Sequence, residues 1–161
     1  MKQYKVIVAG ATGMVGRKMV QVLEERKFPV GELIPMASAR SVGKTVKYNG
    51  KEWNVQELSE ENIKNSKAEI ALFSAGGSVS KEFAPVCAKY GVTVIDNSSA
   101  WRMDPNVPLV VPEVNREKIF SADSLRHPGR CSFPPWFSVS RCDDHWVSSS
   151  KRPRTVRQCV R

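Results

Sequence analysis

Three glycines spaced three residues apart, Gly10, Gly13 and Gly16, follow the apolar run Tyr4–Ala9 and open an amphipathic stretch. Strand, glycine-rich turn and helix in that order suit a dinucleotide pyrophosphate, because the turn amides and the helix N-terminus face the phosphates. Gly10 lets the chain turn sharply out of the strand, Gly13 lets the backbone approach the phosphates, and Gly16 lets the helix pack close to the sheet. The spacing is G-x-x-G-x-x-G rather than the commoner G-x-G-x-x-G, so a tight turn that binds nothing stays open as the alternative on this motif alone.

Two further stretches share that chemistry. Ser38-Ala39-Arg40-Ser41 lies where an NAD-preferring protein carries an acid for the ribose 2′-hydroxyl. Here an arginine and two hydroxyls stand instead, which suits a 2′-phosphate and favours NADP over NAD. Ser74-Ala75-Gly76-Gly77 forms a second glycine-rich turn between an apolar run and a helical pattern, where a cofactor would pass.

The elements that must position these turns alternate. Lys5–Ala9 reads as a central parallel strand. A helix is expected from Met14 to about Arg26, with Val15, Met19, Val20, Val22 and Leu23 as its apolar stripe. Leu33–Ala37 completes a βαβ unit. Thr45–Tyr48 and Trp53–Glu57 suggest a hairpin around Asn49-Gly50. Ser59 caps a brief helix ending near Asn65. Ile70–Ser74 is a further strand, Ser80–Tyr90 a helix, Val92–Ile95 a strand that delivers Asp96, and Leu109–Val111 a short strand. Asn115 caps a helical turn through Phe120. The class is α/β, a Rossmann-type doubly wound, mostly parallel sheet with helices on both faces.

The formal net charge of +9 raises nucleic acid as a partner, but its distribution opposes that. Residues 1–120 hold 17 basic and 13 acidic side chains, and residues 121–161 hold 8 and 3, so the excess belongs to the tail. No apolar run approaches the ~20 residues of a membrane span, and the N-terminus enters a strand without a signal-peptide core. The expected location is cytoplasmic, with neither membrane nor nucleic acid as partner. Cys87 is expected on the buried face of a helix. Cys131, Cys142 and Cys159 match no zinc spacing, so neither a metal site nor a structural disulfide is expected.

From Asp96 onward the motifs become specific. D-N-S-S-A-W-R-M at 96–103 and V-P-L-V-V-P-E-V-N at 107–115 resemble the aspartate-semialdehyde dehydrogenase family. So do G-A-T-G-M-V-G at 10–16, S-A-R-S at 38–41 and F-S-A-G-G-S-V-S at 73–80. The likeness runs in order through residues 4–120. The related N-acetyl-glutamyl-phosphate reductases of arginine biosynthesis share fold and chemistry but usually lack the Ser-Ser-Ala-Trp-Arg segment, and rank second. The resemblance implies NADPH-dependent reduction of β-aspartyl phosphate to aspartate semialdehyde with release of phosphate, in lysine, threonine and methionine synthesis. In that family a cysteine thiolate attacks the acyl phosphate, hydride reduces the thioester, and a histidine moves the protons. Cofactor contacts then fall on Gly10, Thr12, Gly13, Met14, Val15, Arg40, Ser41, Ser74, Ala75, Gly76 and Gly77. Arg102 matches the arginine that grips the substrate's phosphate, a task suited to a planar guanidinium, and Asn97 lines the same pocket. Asp96 is expected to accept from turn amides rather than to act in acid–base chemistry. The intact family forms homodimers or homotetramers.

Residues 121–161 depart from the pattern. Seven of the 12 arginines but one of the 13 lysines lie there, with both histidines, a change of preferred basic residue that a single domain does not normally make. The division expected is an NADP-binding domain over 1–120 and an irregular, non-family tail over 121–161. The family's Asn-Cys-Ser/Thr nucleophile does not follow, so no catalytic residue is assigned. Cys131-Ser132 lacks the preceding Asn, and nothing sets His127 or His145 beside a thiol. Pro153–Cys159 can be encoded so that a shifted frame spells Pro-Asn-Cys-Ser-Thr-Met, which leads to the expectation of an out-of-frame or inserted tail and an inactive chain. The competing class is a non-catalytic NADP-binding module.

Overall fold

The computed structural model describes residues 2–115 and 130–132. Six parallel strands form one sheet in the order β5-β2-β1-β6-β7-β8. They are β1 (Tyr4–Ala9), β2 (Val30–Ala37), β5 (Gln56–Glu57), β6 (Ile70–Phe73), β7 (Thr93–Asp96) and β8 (Arg130–Ser132). β3 (Thr45–Tyr48) and β4 (Lys51–Asn54) make a separate antiparallel hairpin. The helices are α1 (Met14–Glu25), α2 (Glu60–Ser66), α3 (Gly77–Lys89) and the single turn α4 (Pro112–Asn115).

Alternation along β1 explains the two layers. Val6 and Val8 face one side, where they join Val20 of α1, Leu33 of β2, and Val46 and Tyr48 of the hairpin. Ile7 and Ala9 face the other, with Ile63 of α2, Ala84 and Cys87 of α3, and Phe73. The central strand is therefore buried on both faces, as a parallel sheet requires. The chain runs outward from β1 through β2 to β5, then returns to the other side of β1 as β6. That reversal opens a crevice beyond the carboxyl ends of β1 and β6, the place where doubly wound folds bind ligands.

Several boundaries differ from the sequence expectation. Val15, in the first turn of α1, is 43 % exposed and is not part of the helix's buried stripe, which holds Gly16, Val20 and Val22. The run Trp53–Glu57 is divided between two sheets. Lys51–Asn54 pairs with β3 across Asn49-Gly50, both at positive φ, whereas Gln56–Glu57 pairs in parallel with Met36–Ala37. α3 begins at Gly77, three residues before the expected Ser80, whose hydroxyl turns inward instead of marking a helix start. Leu109–Val111 forms no strand in the sheet, only an isolated bridge at Leu109, since Pro108 and Pro112 remove the donors a ladder needs. Asn115, the last residue described before the expected turn through Phe120, which lies outside the described residues, accepts at Oδ1 from the Val111 amide at 2.7 Å and donates from Nδ2 to the Leu109 carbonyl at 2.9 Å.

Within 121–161, the stretch expected to be irregular or out of frame, residues 130–132 form the short strand β8. They pair in parallel with Val94–Asp96 along the edge of β7. An edge strand offers a ready row of backbone donors and acceptors, and three residues are too few to show a period in the sequence. His127, His145, Cys142, Cys159 and Pro153–Cys159 lie outside the described residues.

Candidate functional site

The first glycine turn is held by its own backbone. Gly10 has φ +82°, a conformation that L side chains rarely adopt, and its amide donates to the Met36 carbonyl of β2 at 2.8 Å. The Ala11 amide shares that carbonyl at 3.2 Å, and the Gly13 amide closes the turn onto the Gly10 carbonyl at 3.0 Å. Gly16 sits where α1 crosses the turn. A Cβ there would lie 2.1 Å from the Gly10 oxygen, so only glycine lets the helix approach this closely. Gly13 caps α1 without a side-chain hydrogen bond, and the first turn carries no acid. Its leading amides therefore face the crevice without a side-chain cap, at the positive end of the helix dipole. Met14, 88 % exposed, and Val15 flank the opening.

The second turn meets the first. Ser74 donates to the Ala9 carbonyl through both its amide, at 2.9 Å, and its hydroxyl, at 3.0 Å. A Cβ on Gly10 would stand 3.0 Å from the Ala75 nitrogen and the Ser74 carbonyl, so the two turns touch. Gly76 caps α3, again without a side-chain bond, and Gly77 opens it. Two helix N-termini thus point into one crevice. Beside it, Ala39–Ser41 form a 3-10 turn at the end of β2, and the Thr12 and Ser41 hydroxyls lie 3.3 Å apart. Arg40 is exposed on that turn and pairs with no described residue.

β7 brings the remaining residues to the same edge. Asp96 is buried at 2 % exposure and accepts three hydrogen bonds: from the Ser80 hydroxyl at 2.5 Å, and from the Ser98 amide and hydroxyl, each at 2.7 Å. Ser80 in turn accepts from the Trp101 indole at 2.9 Å. This network ties the loop after β7 to α3, and Asp96 acts in it as an acceptor. The loop presents Asn97, whose amide is held by the Phe73 carbonyl at 3.1 Å, and Arg102. Arg102 spends one Nη2 bond on the Asn97 carbonyl at 3.2 Å, while its buried Nε has no acceptor among the described residues. Gly77 approaches Ala100 and Ser99 of this loop at 3.9 and 4.0 Å, so the loop abuts the second turn.

All the residues singled out from sequence at 10–15, 40–41, 74–77 and 97–102 therefore lie at the carboxyl edge of the sheet. The network through Ser80 and Trp101 was not legible there, because Ser80 reads as an ordinary polar helix residue until α3 is placed against β7. Cys87 does not join them. It lies wholly buried on α3, and burial pushes its thiol up to about 12, outweighing a smaller opposing backbone hydrogen bond; at neutral pH it is an inert apolar group. Among the described residues no three His, Cys, Asp or Glu side chains cluster as metal ligands, and no helix is long and apolar enough to cross a membrane.

Comparison with known proteins identifies the family of the fold. Residues 5–122 match the family described as "Semialdehyde dehydrogenase, NAD binding domain". The aspartate-semialdehyde dehydrogenase of Aquifex aeolicus is 62% identical over 116 residues, covering 72% of this chain and 34% of that protein. That of Shewanella violacea is 51% identical over 118 residues, covering 73% and 34%. Among solved structures, aspartate semialdehyde dehydrogenase II of Vibrio cholerae, complexed with ASA, superposes with a TM-score of 0.75 at 48% identity, over 83% of this chain and 42% of that one. The Candida albicans enzyme, solved with NADP, gives 0.63 at 25% identity, over 81% and 42%. The chain spans 34% of the length of these curated relatives. It belongs to the semialdehyde dehydrogenase family, and residues 5–122 are the family's NAD-binding domain.

Proposed function

We propose that residues 1–120 form the NADP-binding domain of a cytoplasmic enzyme that reduces β-aspartyl phosphate to aspartate semialdehyde, with release of phosphate. The observation that carries this is the meeting of the Gly10 and Ser74 turns at the switch point, with the Arg102 loop beside them. The site fits such a cofactor on its own terms. The amides at the start of α1 and α3 are free of side-chain caps, and Gly13 leaves the approach to them open. Arg40 and Ser41 supply a cation and a hydroxyl for a 2′-phosphate. The orphaned Nε–H of Arg102 seeks an anionic acceptor, which the phosphate of an acyl phosphate provides. NADPH, when bound, supplies hydride. The chain's own residues orient it, hold the substrate's phosphate, and keep the Arg102 loop in register through Asp96. The product places the enzyme in lysine, threonine and methionine synthesis, with the dimer or tetramer of its family as the working assembly.

The test pairs binding with turnover. Titration of the 161-residue chain with NADPH is expected to show binding that Arg40→Ala weakens roughly tenfold, the value of one charge-assisted contact. An assay of phosphate-dependent oxidation of aspartate semialdehyde is expected to show none, since the one described thiol outside residues 121–161, Cys87, is buried and protonated. Absence of NADPH binding by a folded chain would overturn the assignment. Turnover would place a working nucleophile within 121–161 and refute the view of that stretch as a non-family tail.

A further inference from the structure

A trough of about 530 Å³ runs between α1 and the β3–β4 hairpin, starting at Thr12. Val20 and Val46, both buried, line its base, so the walls are held by the core. Its charges are arranged along its length. Arg17 stands one helical turn from Gly13, its amide donating to the Gly13 carbonyl at 3.0 Å. Lys44 faces it from the turn that also carries Ser41. The Lys44 amide donates to the Ser41 carbonyl at 3.2 Å, and its own carbonyl accepts from Val55 at 2.9 Å, so its backbone is pinned beside the Thr12–Ser41 hydroxyl pair. Neither Arg17 nor Lys44 pairs with any described acid. The other charges of the trough are already engaged: Lys47 lies 3.9 Å from Glu52, and Glu24, two turns farther along α1, accepts from the Asn49 amide at 3.0 Å. A dianion is thus drawn to the Thr12 end and repelled from the Glu24 end.

We infer that the Thr12 end of this trough seats the cofactor's 2′-phosphate, with Lys44 and Arg17 as counter-charges that act beside Arg40 and set the preference for NADP over NAD. The inference rests on the NADP assignment above. It extends that assignment from Arg40 to the trough that begins at Thr12, which Arg17 and Lys44 line without a described acid partner. A phosphomonoester between two cations and two hydroxyls gains charge-assisted hydrogen bonds that a ribose hydroxyl cannot match.

The experiment titrates the 161-residue chain with NADP+ and with NAD+ by calorimetry, for the parent, Lys44→Gln, Arg17→Gln and Arg40→Ala. Both cations are exposed, so the variants are expected to melt with the parent. Lys44→Gln and Arg17→Gln are each expected to weaken NADP+ by roughly tenfold and to leave NAD+ within about twofold, because NAD+ lacks the group they hold. An NADP+/NAD+ ratio unchanged in both variants but lowered in Arg40→Ala would overturn this inference and leave the NADP assignment standing. Equal parent affinities for the two cofactors would overturn both. Titration with adenosine 2′,5′-bisphosphate against 5′-AMP separates the same outcomes without the nicotinamide half.

Discussion

Replacing Gly16 with alanine separates what the glycine turn does for the fold from what it does for a ligand. In an ordinary helix the change from glycine to alanine stabilises by roughly 1 kcal/mol. Here the new methyl would lie 2.1 Å from the Gly10 oxygen and 2.8 Å from the Gly10 carbonyl carbon and the Ala11 Cα. Ordinary contacts lie near 3.5–4.0 Å, so relief requires backbone movement of more than about 1 Å. The neighbours are main-chain atoms pinned to Met36, and no side chain can swing away. Overpacking of this kind costs about 1–3 kcal/mol, and the rigid partners set it at the upper end. Offset by the helix gain, the net is a loss of about 2 kcal/mol, or roughly 8 °C in Tm for a domain of this size. Gly13→Ala is the control. Gly13 has φ −75° and ψ 167°, which alanine adopts freely, and its nearest neighbour, the Gly10 oxygen, is 3.3 Å away. Its stability should stay within about 0.5 kcal/mol. Its NADPH affinity should fall at least about tenfold, because the methyl stands where the phosphates approach. Thermal unfolding by circular dichroism and calorimetric titration read both. A Gly16→Ala protein as stable as the parent, or a Gly13→Ala protein that binds as tightly, would refute the geometry.

Three other outcomes follow from particular residues. Asp96→Ala removes the acceptor of Ser80 and Ser98 in a buried site and is expected to cost about 3 kcal/mol by urea unfolding; a loss below about 1 kcal/mol would show that the network is dispensable. Cys87 has its pKa raised in the folded state, so its contribution is fully present below the unfolded-state value near 9 and is lost as pH climbs toward 12. Stability should therefore fall by about 1 kcal/mol between pH 9 and 10 beyond the loss seen in Cys87→Ala, and equal slopes for the two proteins would contradict the buried thiol. Gly50→Val forces a β-branched residue to φ +71° in the hairpin turn and should cost about 1–2 kcal/mol with NADPH affinity unchanged, since the turn lies away from the crevice; loss of affinity instead would tie the hairpin tip to the cofactor.

The central βαβ unit and its glycines were legible from sequence because each signal there is local. Gly10 must turn, Gly16 must let a helix pass, and the β-branched run before them must be a strand buried on both faces. The expectation of an α/β, mostly parallel fold held for the same reason. Elements whose identity depends on distant partners were not legible. Gln56–Glu57 joins the main sheet only because β2 offers an edge, and Arg130–Ser132 pairs only because β7 does. Ser80 becomes a buried acceptor and donor only when α3 lies against Asp96 and Trp101.

By itself the sequence determined the order of the elements, the glycine turns, and the cation at Arg40 in place of an acid, all properties of residue type and spacing. Tertiary structure decided that the turns at Gly10 and Ser74 touch, that Arg102 carries a buried and unspent Nε–H, and that Arg17 and Lys44 face one trough. The first of these depends on the reversal of strand order at β1, which sets residues more than 60 positions apart side by side. A sheet topology is chosen by which edges bury the most apolar surface together, and that is a property of the whole chain rather than of any window along it.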